Sequence, residues 1–327
     1  MAGANGLERG GYNMSKWAIG TGLFCLLNGV VAHSALAGPE LSFKSGISTT
    51  SESYPYAFDS LASADPIQPI LAPFGGGPFA GAKLTFSDVY RSYDLEIEAN
   101  LYSLVGSSNY GFAQEGGDCT TYSVRDLISL SHVFCMSGAE TKSVSGAVIS
   151  RVSLARELDG WDLTVLGGIG SMAFANEMSG RMFYDSEASA QIRQNTFDGT
   201  GISLGVRHQR SIGEAMTLKV EGFAGFYNGQ RKLLIENIYT STFGTLEETQ
   251  SSWVRALDIS VSVGRQVEIF GFTSDMEIGA SFAHIDDVLN TANYNGASAP
   301  VGPDSPSGSR SAGVSSVTLF LGSTFQL

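Results

Sequence analysis

Hydrophobic and polar residues alternate along most of the chain beyond its N-terminal region. The segment Tyr93–Tyr102 (YDLEIEANLY) carries an apolar residue at almost every second position, with Asp94, Glu96 and Glu98 in the gaps. A period of two indicates a β-strand with one apolar face and one acidic face. The apolar face meets a protein core in a soluble sandwich, and it meets lipid in a membrane barrel, where the polar face lines the interior.

Ten alternating segments follow one another along the chain. About ten residues at roughly 3.3 Å each, tilted by about 40°, cross an apolar belt on the order of 25 Å thick. The segments are Leu41–Ile47, Ala82–Phe86, Tyr93–Leu101, Val144–Leu154, Trp161–Ile169, Ile202–Val206, Met216–Phe226, Trp253–Val263, Met276–Phe282 and Val317–Leu327. Their number and character predict an all-β protein.

The links between these segments alternate between short and long. The short links lie near 91–92, 157–160, 211–214 and 264–266, with a longer turn to Ser274 as the alternative for the last. The long links span roughly 49–79, 103–142, 172–198, 227–252 and 283–312. This alternation favours a transmembrane antiparallel up-and-down β-barrel, with short periplasmic turns and long extracellular loops, over a secreted soluble sandwich. We therefore expect one barrel of about ten strands over residues 38–327.

The strand count depends on what the long links contain. A hairpin hidden in 103–142 or 172–198 would raise the count to twelve, and Leu127–Val133 is the favoured additional strand. Ten strands lie between eight-stranded barrels, which side chains fill, and sixteen-stranded porins with open channels. The predicted pore is then narrow, or it is filled by segment 49–79 folding inward.

The phase of the alternation predicts which charged side chains face the barrel interior. Acids and bases are mixed in this set, so that they can pair across a narrow interior and limit the cost of burial. The predicted lining residues are Glu40, Lys44, Lys83, Asp94, Glu96, Glu98, Arg151, Asp162, Arg207, Lys219, Glu221, Asp258, Asp275 and Glu277.

The N-terminus predicts export. Beyond Met14, Lys16 gives a positive start, residues 17–31 form an apolar run, and Ala35-Leu36-Ala37 is a small-residue cleavage site. We expect residues 1–37 to comprise an N-terminal extension and a cleaved signal peptide. In the oxidising compartment that follows, Cys119 and Cys135 can form a disulfide or remain two thiols.

Composition changes the picture in two ways. The chain has 40 glycines and only 16% charged residues, which suits a glycine-rich β protein. Its net charge is −13 and it has no basic patch, so we expect no nucleic-acid partner. The long links are rich in Gly, Ser, Pro and acidic residues, as in 296–313.

The signal peptide, the alternating strands and the final strand VTLFLGSTFQL together resemble Gram-negative outer-membrane β-barrel proteins. That resemblance implies lipid and the barrel-assembly machinery as partners, the latter through an aromatic residue near the carboxyl end, here Phe325 rather than the terminal Leu327. Residues 202–232 (ISLGVRHQRSIGEAMTLKVEGFAGFYNGQRK) resemble a strand-turn-strand pattern of the pore-forming major outer-membrane proteins of the Legionella type.

Catalytic and metal-binding patterns are sparse. The sequence has no Cys/His metal spacing. His284-Ile285-Asp286-Asp287 lies where the ninth strand would leave the membrane, and an acidic rim with a histidine resembles outer-membrane proteases of the omptin type, although the Asp-x-His order of that family is absent. We therefore expect that the chain is not an enzyme and uses no cofactor.

Three functions follow from these observations. A porin-like channel for ions or small solutes is the first expectation. The alternative is a non-conducting structural or surface-interaction barrel, such as an adhesin or envelope protein, that acts through long acidic loops. An omptin-like protease is the remote alternative, and it would cleave a basic peptide. The solute, the receptor and the oligomeric state do not follow from the sequence.

Overall fold

The fold was derived from a computed structural model of the chain. It describes residues 38–50, 53–59, 69–90, 92–111, 121–125, 131–135, 138–158, 161–183, 188–213, 215–238, 243–269, 272–291 and 310–327. Every regular element in these ranges is a β-strand. None of these ranges contains a helix that is long and apolar enough to span a membrane.

Ten of the described strands close into an antiparallel barrel in which chain neighbours are also neighbours in space. The barrel strands are β1 (Glu40–Thr49), β4 (Gly76–Tyr90), β5 (Tyr93–Gly111), β8 (Gly138–Leu158), β9 (Leu163–Phe183), β10 (Ala188–Ile212), β11 (Met216–Ile238), β12 (Phe243–Ile269), β13 (Phe272–Thr291) and β14 (Arg310–Gln326). The predicted all-β, up-and-down barrel of about ten strands is confirmed.

The barrel closes where the first strand meets the last. β1 pairs with β14 along one edge and with β4 along the other, so no edge of β1 is left open. Facing hydroxyls reinforce the closure: Ser48 Oγ lies 2.6 Å from Thr318 Oγ1, and Ser42 Oγ lies 2.8 Å from Thr324 Oγ1. The backbone N–H of Leu327 donates to the carbonyl of Pro39, which joins the start of β1 to the end of β14.

The alternation of the sequence is the alternation between the outside and the inside of the barrel. In β5 the outward Leu101 is 45% exposed, whereas its neighbour Tyr102 is buried inside. Other large outward residues form an exposed apolar belt, with Tyr90 and Trp161 near the end that carries the short turns and Trp253 near the other. This belt matches the lipid-facing surface of an outer-membrane barrel with aromatic residues at both boundaries.

Two of the predicted long links, 172–198 and 227–252, are mostly strand, which corrects the predicted strand bounds. β9 continues to Phe183 and β10 begins at Ala188, so the predicted link 172–198 is largely a continuation of the barrel wall. Above the apolar belt the outward positions become polar, as at Asp198 and Thr200, while the ladder of backbone hydrogen bonds continues. A prediction based on hydrophobic alternation therefore ends each strand too early.

A second, four-stranded sheet accounts for two of the predicted links. β2 (Ser53–Asp59), β3 (Pro69–Pro73), β6 (Thr121–Arg125) and β7 (Ser131–Cys135) pair in the order β3-β2-β6-β7. The predicted hairpin in 103–142 is thus β6–β7, but it pairs with β2 and does not widen the barrel to twelve strands. Cys119 lies outside the described residues, and its disulfide with Cys135 stays a prediction.

The turns at the end that carries both termini are tight. Ser92, Asp162 and Gly213 adopt positive φ angles of 65°, 48° and 66°, which reverse the chain within a few residues. The turn predicted near 264–266 lies farther along the chain, within the alternative extension to Ser274, because β12 continues to Ile269 and β13 begins at Phe272. Short turns and both termini at one end are the periplasmic signature of this fold.

A charge placed in the apolar belt should destabilise the barrel in a position-dependent way. Leu204, 57% exposed in the middle of the outward apolar run of β10, should lose about 2–4 kcal/mol of unfolding free energy on Leu204→Lys in lipid vesicles. Asp198→Lys, on the same outward face above the belt, should change it little. Denaturant titration measures both variants, and equal losses would show that the belt is not in lipid.

Candidate functional site

A compact cluster of charged side chains fills the lower half of the barrel, toward the short turns. The structure brings ten of the predicted lining residues together there. They are Lys44, Lys83, Glu96, Glu98, Arg151, Arg207, Lys219, Glu221, Asp258 and Glu277. Successive side chains of a strand point to opposite faces of the wall. Because the apolar neighbours of each charged residue face outward, the charged side chain faces the interior.

Arg207 on β10 is the centre of this cluster. Its Nη1 and Nη2 donate to the two carboxylate oxygens of Glu96, each at 2.7 Å, and its Nε donates to Glu221 Oε1 at 2.8 Å. Glu96 belongs to β5, three strands away around the wall, so the bidentate contact crosses the interior. A guanidinium that bridges two carboxylates in this way fixes their geometry as well as their charge.

Two lysines extend the network to the closing strands. Lys83 Nζ lies 3.7 Å from Glu96 Oε2. Lys44 Nζ lies 4.0 Å from Glu221 Oε2 and 3.8 Å from Glu277 Oε1, which links β1 with β11 and β13. The network therefore connects strands from both halves of the chain across the interior.

A second group lies directly above Arg207. Arg151 Nη2 is 3.0 Å from Glu98 Oε2, and its guanidinium stacks 3.6 Å from the ring centroid of Phe223. The hydroxyl of Tyr102 donates to Asp258 Oδ2 at 3.0 Å. Each charge in this layer is thus met by an opposite charge, a hydrogen bond or an aromatic face.

The cluster is electrically balanced. Five of its members are basic and five are acidic, although the whole chain carries −13. The excess negative charge therefore lies elsewhere in the protein. Fixed charges that satisfy one another leave little net field along the axis of the barrel to attract a permeating ion.

Aromatic side chains fill the interior above the charges. The Phe79 and Tyr102 ring centroids are 5.1 Å apart, and Phe174, Phe197 and Tyr227 are all at most 4% exposed. A cavity of about 20 Å³ remains between the two layers, bounded among others by Lys44, Glu98 and Phe320. That volume holds about one water molecule.

Two glycines make room for these rings in a narrow barrel. A Cβ at Gly205 would lie 2.5 Å from the ring of Phe223, and one at Gly225 would lie 2.5 Å from the ring of Tyr227. Each ring therefore lies flat against a backbone that has no side chain. Glycine at these positions lets a ten-stranded barrel hold large aromatic residues inside.

Four predicted lining residues lie outside the cluster: Glu40, Asp94, Asp162 and Asp275. Asp94 accepts a hydrogen bond from the backbone N–H of Asp88 at 2.9 Å, beside the β4–β5 turn. Asp162 is exposed in the β8–β9 turn, where its carbonyl accepts the N–H of Gln209 at 3.2 Å. The alternation predicts which face a side chain takes within a strand. Asp94 and Asp162 lie at strand ends, where the geometry of the turn sets the direction of the side chain.

A second cluster lies at a bulge in the upper part of β13, and sequence analysis found only part of it. The pairing of β13 with β14 shifts between Ile285 and Leu289, and Asp287 has a φ of 62°. Arg231 donates from Nη1 to the carbonyl of Asp287 at 3.0 Å and from Nη2 to Gln250 Oε1 at 3.1 Å. The sequence marks 284–287, but nothing in it connects Arg231 with that segment.

The outer side of the same bulge carries the remaining polar groups. Arg255 forms ion pairs with Asp286 and with Asp287, the latter at 3.2 Å. His284 Nδ1 lies 2.8 Å from the Oγ of Ser315, its cross-strand neighbour. Among the residues described, no three acidic, histidine or cysteine side chains are grouped so that they could hold a metal ion.

Comparison with known proteins identifies the fold. The chain is similar to the outer-membrane protease OmpT of Escherichia coli, with a TM-score of 0.50 and 9% identity over 91% of this chain and 99% of OmpT. A FadL homologue of Pseudomonas aeruginosa (TM-score 0.24, 8% identity, 88% of this chain and 90% of that one) and the toluene transporter TbuX of Ralstonia pickettii (0.21, 8%, 89% and 90%) score too low to carry an argument.

No protein-family model and no curated protein sequence matches the chain. At 9% identity the likeness to OmpT establishes the outer-membrane β-barrel fold and nothing finer. The resemblance of residues 202–232 to the Legionella-type major outer-membrane proteins is not shown.

The likeness to OmpT corrects one prediction. The sequence predicts that the chain is not an enzyme. This prediction is wrong, because OmpT, which has the same fold, is a protease. The fold is compatible with enzyme activity.

Removal of the Arg207 side chain should destabilise the barrel strongly. Arg207→Ala leaves Glu96 and Glu221, both at most 5% exposed, without their bidentate partner, and we expect a loss of about 3–5 kcal/mol in unfolding free energy. Arg210→Ala, an exposed residue on the same strand, is the matched control and should change it by less than about 0.5 kcal/mol. Equal stability of the two variants would contradict the assignment of Arg207 as the centre of the cluster.

Proposed function

We propose that this protein is an outer-membrane barrel that is closed through its interior and acts through the end that stands above the lipid. The observation that carries the proposal is the Arg207 network together with the aromatic layer above it. Location in the outer membrane is supported by the fold, by the exposed apolar belt and by the predicted signal peptide.

A filled interior supports the surface-interaction alternative over a porin-like channel. Conduction requires a continuous water-filled path, and selectivity comes from charges that face that path. Here the acidic and basic groups pair with one another, and the cavity between the layers has the volume of about one water molecule. Widening this path would require the ion pairs of Arg207 to separate in a nearly dry interior.

The length of the strands supports a role for the upper end. About ten residues suffice to cross the apolar belt, yet β10 has 25 residues and β12 has 27. Trp253 marks the upper boundary of the belt on β12, so residues 243–252 of this strand stand above the lipid. A wall of this height offers a surface on the extracellular side that a barrel built only to span the membrane would not need.

The mature chain, Gly38–Leu327, should insert into planar bilayers without discrete conductance steps. Paired charges and packed rings block ion passage in the native protein. Recordings on refolded protein measure this, and insertion is checked independently by protection of the apolar belt from water-soluble labelling of single cysteines introduced at Leu204 and, as the accessible control, at Asp198. Stepwise currents that scale with the amount of inserted protein would overturn the proposal.

Peptide hydrolysis at the same end is a second candidate. The observation that favours it is the grouping of His284, Ser315 and Asp286 on one stretch of the outer wall. His284 and Asp286 are engaged with different partners, Ser315 and Arg255, so hydrolysis would require them to be rearranged on substrate binding. Cleavage of a basic peptide that is lost in both His284→Ala and Asp286→Asn would support this candidate, and cleavage that is unchanged in both would exclude these residues as its source.

A further inference from the structure

The wall of the barrel is split between β12 and β13 at its upper end. The two strands pair from Arg255 and Asp286 down to Ile269 and Phe272. Above Arg255, the segment Phe243–Val254 of β12 continues upward and pairs with β11 along one edge. Within the described strands, no partner lies along its other edge.

The bulge in β13 is the cause of this split. It turns the strand inward, so that Val288 and Leu289 are at most 1% exposed and β13 reaches across the interior to β10. Arg231 and Arg255 hold the bulge from its inner and outer sides through Asp287 and Asp286. The split is therefore built into the wall by specific contacts and does not arise from fraying of two strand ends.

The free edge of β12 has the chemistry of a strand-binding site. Every second residue of Phe243–Val254 presents its N–H and C=O to that edge, because the intervening residues bond to β11. The segment contains no proline or lysine, two of the residues that commonly block such edges. An extended polypeptide can add to this edge and complete the ladder.

Charge selects among extended polypeptides. Glu247 and Glu248 are both exposed on this segment and, as sequence neighbours on a strand, project to opposite faces of the ribbon. The register places Leu233 and Leu234 of β11 opposite Glu248 and Glu247, and the exposed Lys232 opposite Thr249. A strand that carries positive side chains on either face would therefore meet a carboxylate.

We propose that the free edge of β12 over Phe243–Val254 binds an extended, positively charged polypeptide segment by β-strand addition. This proposal rests on the proposed function, since it names the partner and the place for a barrel that acts through its upper end. A second copy of this chain is a poorer occupant: strands of two upright barrels related by a two-fold axis, each tilted by about 40°, would cross rather than pair.

The test uses the full mature chain in nanodiscs of zwitterionic lipid and a fluorescent decapeptide of alternating lysine and valine. We expect saturable binding by anisotropy. Methylation of alternate backbone nitrogens of the peptide should weaken it by about tenfold or more, since it removes the ladder hydrogen bonds and keeps every charge. The double variant Glu247→Lys/Glu248→Lys should weaken it several-fold, whereas Glu157→Lys/Glu268→Lys, with the same charge change at exposed positions near the short turns, should not.

Hydrogen–deuterium exchange locates the contact. Bound peptide should slow exchange in 243–254 and leave 205–212, at the opposite end of the barrel, unchanged. Absence of binding, equal affinity for the methylated peptide, or protection confined to another segment would overturn the inference. A barrel that stays electrically silent without binding the peptide would leave the closed-barrel proposal standing, whereas a conducting barrel that binds the peptide at β12 would overturn only the closed-barrel proposal.

Discussion

A β-sheet in lipid must close on itself, because hydrocarbon offers no partner to an unpaired N–H or C=O. Ten strands satisfy this requirement by closing into a barrel. Its interior is narrow enough for side chains to fill and wide enough that many of them are required. The interior of this protein follows from that constraint. Its glycines, rings and paired charges are arranged to fill a cylinder whose width is set by the number of strands.

The filling is divided by chemistry into two layers. The lower layer consists of ion pairs centred on Arg207, and the upper layer consists of aromatic and aliphatic side chains such as Phe197 and Tyr227. Arg151 joins them, since its guanidinium pairs with Glu98 and stacks on Phe223. Burial of so many charges is tolerated because carboxylates such as Glu96 and Glu221 each meet more than one base, and because the fold places opposite charges within reach of one another.

The fold and the lower layer could be predicted from the sequence to the extent that a single periodicity governs them. Leu204 faces out and Arg207 faces in for the same reason, namely that successive side chains alternate across the wall. That signal disappears at Thr200, where the outward face becomes polar, so the sequence predicts a loop in the upper half of β10. The partners of Arg231 and the bulge at Asp287 depend on contacts across the barrel and on one unusual φ angle, neither of which leaves a local mark in the sequence.

The distribution of the interior charges along the chain has a consequence for how the barrel assembles. Lys44, in the first strand, contacts carboxylates on β11 and β13, near the end of the chain. Glu96 pairs with Arg207, which follows it by more than a hundred residues. Pairs on neighbouring strands, such as Lys83–Glu96 and Arg207–Glu221, can form within one hairpin, but the contacts of Lys44 and the Arg207–Glu96 pair form only when distant strands meet. Folding intermediates therefore expose uncompensated ions to the membrane and are costly, which favours a cooperative transition in which closure and charge pairing occur together and disfavours gradual, strand-by-strand insertion.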